Sequence, residues 1–250
     1  MNLRLLLTRG GLGNRLRFIE TTLSRVDPSL RVVILWPVSA ECRTDFHSHF
    51  RIADRPRVRF LHIGRISGAV ASGVNHVLRK LLPRYVAREE RDFNPRLVFD
   101  STVHSFDKEL RRFRHVHYVR PESEDDLGAG GGLAAGSYSA FYLRGGDNVT
   151  AIATTDYRRL LTELDRRVSA GERCVGVTDD PGWKAVLKSF GAIVPERRQL
   201  RRDTRLGMRI AVADLKLLSN ATTIYSSNYS SYSELAYCLS RSGELVICKS

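Results

Sequence analysis

Short apolar runs rich in β-branched residues alternate along this chain with segments of helical length, and that alternation constrains the fold more than any other feature. The runs are LRLLL, LRVVILW, RVRFLHI and RLVF in the first half, then SAFYLR, RCVGVT, AIVP, TTIYS and ELVICK in the second. Between them, residues 14–26, 69–87, 155–169, 182–190, 206–219 and 231–240 have the length and spacing of helices. Strands that are apolar on both faces, joined by helices, predict parallel sheets covered on two sides. A chain of 250 residues accommodates two such units. The expected division is an N-terminal α/β domain over 1–120, a linker over 121–136 and a second α/β domain over 137–250. The linker, PESEDDLGAGGGLAAG, is acidic and then rich in glycine and alanine, with no apolar periodicity.

With 42% hydrophobic and 27% charged residues the composition is that of a soluble globular protein, and no apolar run approaches the roughly 18 residues of a membrane span. The first residues lack an apolar signal region of about 7 to 15 residues and a small-residue cleavage site, which points to a cytoplasmic protein. Cys42, Cys174, Cys238 and Cys248 are widely spaced, so neither a disulfide framework nor a zinc site is predicted. The formal charge of +13 implies an anionic partner: nucleic acid, a membrane surface, or an acidic glycan. Nucleic acid is the weakest of these, because the basic residues are spread along the chain and no helix-turn-helix or RNP-type motif occurs.

Several stretches carry chemistry. TRGGLGNRLR, residues 8–17, follows the first strand and places Gly10, Gly11 and Gly13 at a strand-to-helix turn, with the helix expected to begin near Asn14. Such a turn offers backbone N–H groups and a helix dipole to an anion; the alternative is a tight turn whose glycines adopt positive φ. FYLRGGDN (141–148) ends a strand in Arg144, at the sheet edge where ligands of open α/β folds bind, and an arginine there can grip a phosphate with two charge-assisted hydrogen bonds. The alternative is a surface arginine beside a Gly-Gly turn. In GVTDDPGW (176–183), Asp179 and Asp180 are either helix caps or ligands, and Pro181 suits a first helical turn. Asp214, in RIAVADLKLLSN, shares an apolar face with Ile210, Leu217 and Leu218, where its carboxylate answers either a guanine base or an internal arginine. SSNYSSYSELAY (226–237) puts Ser230 and Ser231 at a helix N-terminus, as an anion cradle or as a plain cap.

In this order the pieces resemble the fucosyltransferase superfamily of inverting, metal-independent GT-B enzymes, which includes nodulation-type and core-type α-1,6-fucosyltransferases and protein O-fucosyltransferases. The resemblance rests on GGLGNRLR, on Trp36, Cys42, Phe46 and Phe50, and on YLRGGD, VTDDP, DLKLLS and SSNYSSYSELA. It spans nearly all of 137–250 and about the first 50 residues. It implies two Rossmann-like α/β domains with a cleft between them and a donor, GDP-β-L-fucose, held mostly by the second. By position it gives Arg144 the diphosphate, Asp214 the nucleotide and Ser230 the diphosphate. Gly11, Gly13, Asn14, Arg15, Tyr142, Asp179, Ser231 and Tyr232 complete the expected donor-binding set, and Asp147 is the carboxylate nearest to Arg144. Two positions depart from the family pattern: Tyr142 stands where it has histidine and Gly145 where it has a second arginine. Another nucleotide sugar, or a binding-only relative, therefore stands as an alternative. The reaction implied is displacement at the anomeric carbon by an acceptor hydroxyl, with no metal or other cofactor. The positive charge suits an acidic or membrane-associated glycan or glycoconjugate acceptor.

Overall fold

The computed structural model describes residues 3–8, 11–39, 42–63, 112–119, 133–146, 149–196, 204–241 and 243–250. The chain clusters into two compact units. One comprises Met1–Glu109, Phe113–Arg120 and Arg202–Met208, the other Leu110–Arg112, Pro121–Arg201 and Arg209–Ser250. Among the described residues no helix is long and apolar enough to cross a membrane.

In the first unit, β1 (Leu3–Leu7), β2 (Arg31–Pro37) and β4 (Val58–Ile63) form a parallel sheet in the order β1-β2-β4. α1 (Leu12–Arg25) makes the crossover from β1 to β2. It buries Leu12, Leu16, Ile19 and Leu23, spaced three or four residues apart as an amphipathic helix requires. Its last carbonyls, on Leu23 and Val26, are capped by the Arg55 guanidinium. Trp36, Cys42, Phe46 and Phe50 are all fully buried. Phe46 stacks on Phe60 at 4.0 Å and meets Trp36 edge-on at 5.5 Å, so these positions form an aromatic core.

Two short strands that the periodicity did not predict, β3 (Phe50–Ile52) and β5 (Val116–Tyr118), form an antiparallel pair. Glu20 of α1 anchors it. Its buried carboxylate accepts the backbone N–H groups of Arg114 at 2.7 Å, His115 at 3.0 Å and Val116 at 3.0 Å. The charge is tolerated inside because three amide dipoles converge on it.

The second unit is built on a four-stranded parallel sheet in the order β7-β6-β8-β9: β6 (Ser139–Leu143), β7 (Cys174–Thr178), β8 (Thr223–Ser227) and β9 (Glu244–Cys248). All five residues of β6 and of β7 are buried, as expected for strands covered on both faces. The helices are α2 (Val149–Thr154), α3 (Tyr157–Ser169), α4 (Pro181–Ser189), α5 (Arg205–Ser219) and α6 (Ser231–Leu239). The run AIVP gives only a bridge between Ile193 and Val175, and RLVF and the helical segment 69–87 lie outside the described residues. All four cysteines are free and buried.

The connection from β6 to β7 runs one way along the sheet, and those to β8 and β9 run the other way. Because parallel crossovers are right-handed, this reversal puts the two sets of helices on opposite faces and opens a crevice between the carboxyl ends of β6 and β8.

Glu20→Ala is expected to destabilise the protein by roughly 3 kcal/mol, since three N–H groups, that of Val116 buried and those of Arg114 and His115 partly so, lose an acceptor at once. Glu20→Gln, which keeps one carbonyl oxygen, costs less. Urea unfolding curves measure both, and a parent-like midpoint for Glu20→Ala contradicts the anchoring role.

Candidate functional site

The crevice is bounded by two turns. β6 ends at Leu143 and the chain turns through Arg144, Gly145 and Gly146; β8 ends at Ser227 and turns through Asn228 and Tyr229 into Ser230, the N-cap of α6. The turns are tied together where the strands end. The Arg144 backbone N–H donates to Ser227 Oγ at 2.9 Å, and that hydroxyl donates to the Tyr142 carbonyl at 3.3 Å.

The Arg144 side chain is held from several sides and is only 12% exposed. Its Nη1 lies 3.1 Å from Asp179 Oδ2 and donates to Tyr142 Oη at 3.3 Å. The other oxygen of Asp179 accepts the N–H groups of Gly145 at 2.9 Å and Gly146 at 3.2 Å. One carboxylate at the end of β7 therefore fixes both the path of the turn and the direction of the guanidinium. Below the turn, Tyr157 Oη donates to the Arg144 carbonyl. Burial raises the Tyr157 pKa, and the charges of Asp179 and Asp180 push the same way, so the phenol stays protonated as a donor. The Tyr157 ring stacks on Trp183 at 4.7 Å between centroids. Trp183 in turn covers Gly145: a Cβ at that position would lie 2.5 Å from Trp183 Cδ1 and 2.7 Å from Asp180 Cβ, so the turn requires glycine there.

The geometry assigns partners to several of the expected site residues. Asp179 braces Arg144 and its turn. Asp180 is the cap: its carboxylate accepts from Gly182 at 2.7 Å and Trp183 at 3.2 Å, with Pro181 in the first turn of α4. Tyr142 is 2% exposed, with its ring against Tyr232 at 5.3 Å and its hydroxyl accepting from Arg144. The hydroxyl of Tyr232 donates to the carbonyl of Ala211 on α5. Ser230 is buried and accepts the Ser233 N–H at 3.3 Å as an N-cap, while Ser231 is exposed in the first turn of α6. The buried ridge of α5 runs through Met208, Val212, Leu215 and Leu218, and Asp214 lies at its edge, half-buried like Ile210 and Leu217.

The glycine-rich turn belongs to the first unit. α1 begins at Leu12, two residues earlier than expected, with Gly11 as N-cap at φ −68° and ψ 169°, extended backbone that needs no glycine. Gly13 and Asn14 are half-buried in the first helical turn. Arg15, expected in the donor-binding set, is turned into the first unit. It is 1% exposed, donates to the Pro37 carbonyl at 2.5 Å and Ser39 Oγ at 2.9 Å, and lies over the Trp36 ring. Helical periodicity turns its stem inward, and the carbonyl at the end of β2 satisfies its charge. Gly10 and Asp147 lie outside the described residues. Among the described residues no group of three or more His, Cys, Asp or Glu side chains is placed to hold a metal ion.

No protein-family model and no curated protein matches the sequence at a significant level. Solved structures do match in fold. NodZ α-1,6-fucosyltransferase from a crystal soaked with GDP-fucose superposes with a TM-score of 0.53 at 15% identity, over 96% of this chain and 92% of that one. The fucosyltransferase NodZ from Bradyrhizobium gives 0.52 at 14% identity, over 96% and 93%. POFUT1 in complex with GDP gives 0.51 at 10% identity, over 99% and 98%. The fold is that of these transferases. Arg144 and the SSNYSS turn, which carry the resemblance in sequence, stand together at the crevice of the parallel sheet. Tyr157, Trp183 and Ser227 were not singled out from sequence, although Trp183 and Ser227 lie inside quoted motifs; their partners are 13 to 83 residues away, beyond any local pattern.

Asp179→Ala is expected to lower stability by about 1 to 3 kcal/mol, because two backbone N–H groups and a guanidinium lose their acceptor. Asp179→Asn retains one oxygen for the glycines and should lose less than half of that. Chemical denaturation with both variants tests the brace, which fails if Asp179→Ala unfolds like the parent.

Proposed function

We propose that the chain is an inverting glycosyltransferase that takes a nucleotide sugar, GDP-fucose in the first instance, and transfers the sugar to a hydroxyl of a glycan or glycoconjugate. The observation that carries this reading is the crevice itself: an arginine held at the end of β6, against the hydroxyl-rich turn and helix N-terminus that follow β8. Preorganised donors of this kind suit a diphosphate, whose charge grows as it leaves. The fold shared with NodZ and POFUT1, in structures with GDP-fucose and GDP, supports the same class of ligand.

In the proposed reaction the acceptor oxygen attacks the anomeric carbon from the face opposite the diphosphate. The C–O bond to the β-phosphate breaks, the new glycosidic bond forms with inversion, and the hydroxyl proton passes to solvent or to the departing phosphate. Arg144 stabilises the leaving group, and Asp179, Tyr142 and Tyr157 keep it aimed. Asp214 and Tyr232 would lie on the nucleoside side, toward α5, and the exposed Ser231 beside the diphosphate. Arginine takes the place of a divalent metal, so no cofactor is required. A largely dissociative transition state asks little of a general base, and Asp147 is the nearest carboxylate in sequence. The +13 charge favours an acidic or membrane-associated acceptor. A binding-only protein is the second reading. It is favoured by Trp183 filling the space over Gly145, where the resembled family has its second arginine.

Arg144→Ala should reduce transfer about 100-fold or more, by analogy with loss of a single charge-stabilising donor, and Arg144→Lys should recover little of it because a point charge cannot copy a planar fork. Since the guanidinium is 12% exposed and paired, Arg144→Ala should also melt below the parent. GDP release with a competent acceptor measures the rate, and parent-like turnover in Arg144→Ala removes the site assignment. A melting shift with GDP but no turnover by the parent selects the binding-only reading. Activity in excess EDTA should equal activity with magnesium; complete loss in chelator contradicts metal independence.

A further inference from the structure

We propose that a cavity between α3 and the edge of the four-stranded sheet is a second binding site, for a small organic anion that joins an apolar body to one oxyanion head, a carboxylate or a phosphate monoester. The cavity has a volume of about 510 Å³, within the range of roughly 300 to 1,000 Å³ of small-molecule sites. Its wall is a stripe along α3 formed by Arg158, Arg159, Thr162 and Glu163. Its floor is Tyr225 of β8 with Val246 and Cys248 of β9. β9 is the edge strand, and α3 lies across all four strands without filling the corner over β8 and β9. One end is closed by the chain itself: the Asp156 N–H donates to the Cys248 carbonyl at 3.3 Å, and Thr155 pairs with Lys249. Arg144, Asp179 and Ser230 do not line this cavity, so it is separate from the crevice and independent of the transferase reading.

The chemistry of the ligand follows from the charges left over. Both carboxylates of the lining are already committed. Asp156 caps α3 by accepting the Arg159 N–H at 2.9 Å. Glu163 accepts two hydrogen bonds from Arg166 and one from Arg167, each at 2.8 Å, and these, Arg166 first, hold its carboxyl at about 2. The guanidinium groups of Arg158 and Arg159 form no ion pair or side-chain hydrogen bond among the described residues. Both are exposed in the first turn of α3, at the positive end of its dipole, where helix electrostatics opposes a cation. The floor is apolar. Val246 is half-buried, the Tyr225 ring is held by stacking on Phe141 at 4.8 Å, and Cys248 is buried, which pushes its thiol up and keeps it neutral. An oxyanion can therefore take charge-assisted hydrogen bonds from the two arginines at the rim while its apolar body lies on the floor.

A ligand-observed NMR titration of the full chain with phenyl phosphate and 3-phenylpropionate tests the site. Both should bind. Benzylamine, which has the ring but the opposite charge, and inorganic phosphate, which has the head but no body, should each bind at least about tenfold more weakly. Removing both cations together, Arg158→Ala with Arg159→Ala, should weaken the two probes about tenfold or more, the scale of one charge-assisted hydrogen bond. That double variant should melt at or above the parent temperature, because two cations leave the positive end of α3. Thr162→Trp and Val246→Trp put an indole into the cavity from wall and floor and should each block binding; Thr162 is exposed, so the first decides the point if the second does not fold. Saturating GDP should leave the affinities unchanged. Binding of one probe alone supports the site and identifies the head group. Absence of binding by both probes, equal binding of benzylamine, or unchanged affinity in the double variant overturns the proposal. So does displacement by GDP, which places the probes in the crevice, or a double variant that melts several degrees lower, which makes the arginines structural.

Discussion

The second unit depends on the carboxylate of Asp179. It stands at the end of β7 and receives three donors: two backbone N–H groups of the Gly145–Gly146 turn and the guanidinium of Arg144. Without it the half-buried N–H of Gly145 and the more exposed N–H of Gly146 would lose an acceptor, and the guanidinium would keep the Tyr142 hydroxyl but lose its carboxylate. With it the guanidinium and the turn that carries it are held in one direction. The stacked Tyr157 and Trp183 complete the support from below, and the second explains why position 145 carries no side chain.

The first unit solves a related problem with the same chemistry. Glu20 collects three successive backbone N–H groups and so attaches the β3–β5 pair to α1. In both units a carboxylate is spent on main-chain amides where the chain leaves regular structure, because buried amides without partners are costly.

The arginines show the complementary pattern. Arg15 answers the Pro37 carbonyl, Arg55 the end of α1, and Arg112 the carbonyls of Tyr237, Ser240 and Gly243 while stacking at 3.8 Å on the Tyr237 ring. These three arginines are therefore internal caps of helix and strand ends.

The sequence by itself determined the parallel α/β architecture, because apolar runs of five to seven residues between amphipathic helices have few other ways to bury both faces. Seven of the predicted runs became β1, β2, β4, β6, β7, β8 and β9, and Arg144 was placed at a strand end from local pattern alone. Caps were equally legible, Asp180 and Ser230 among them, since they act on backbone three residues away. Only the tertiary structure decided which group each charged side chain answers. Arg15 and Arg144 both follow glycine-containing or strand-end signals, yet one is buried on Pro37 and the other is aimed by Asp179. The short β3–β5 pair, the Trp183 cover over Gly145 and the cavity beside α3 were likewise invisible beforehand. Each depends on partners far apart in sequence, and local periodicity carries no information about a contact that chain topology alone creates.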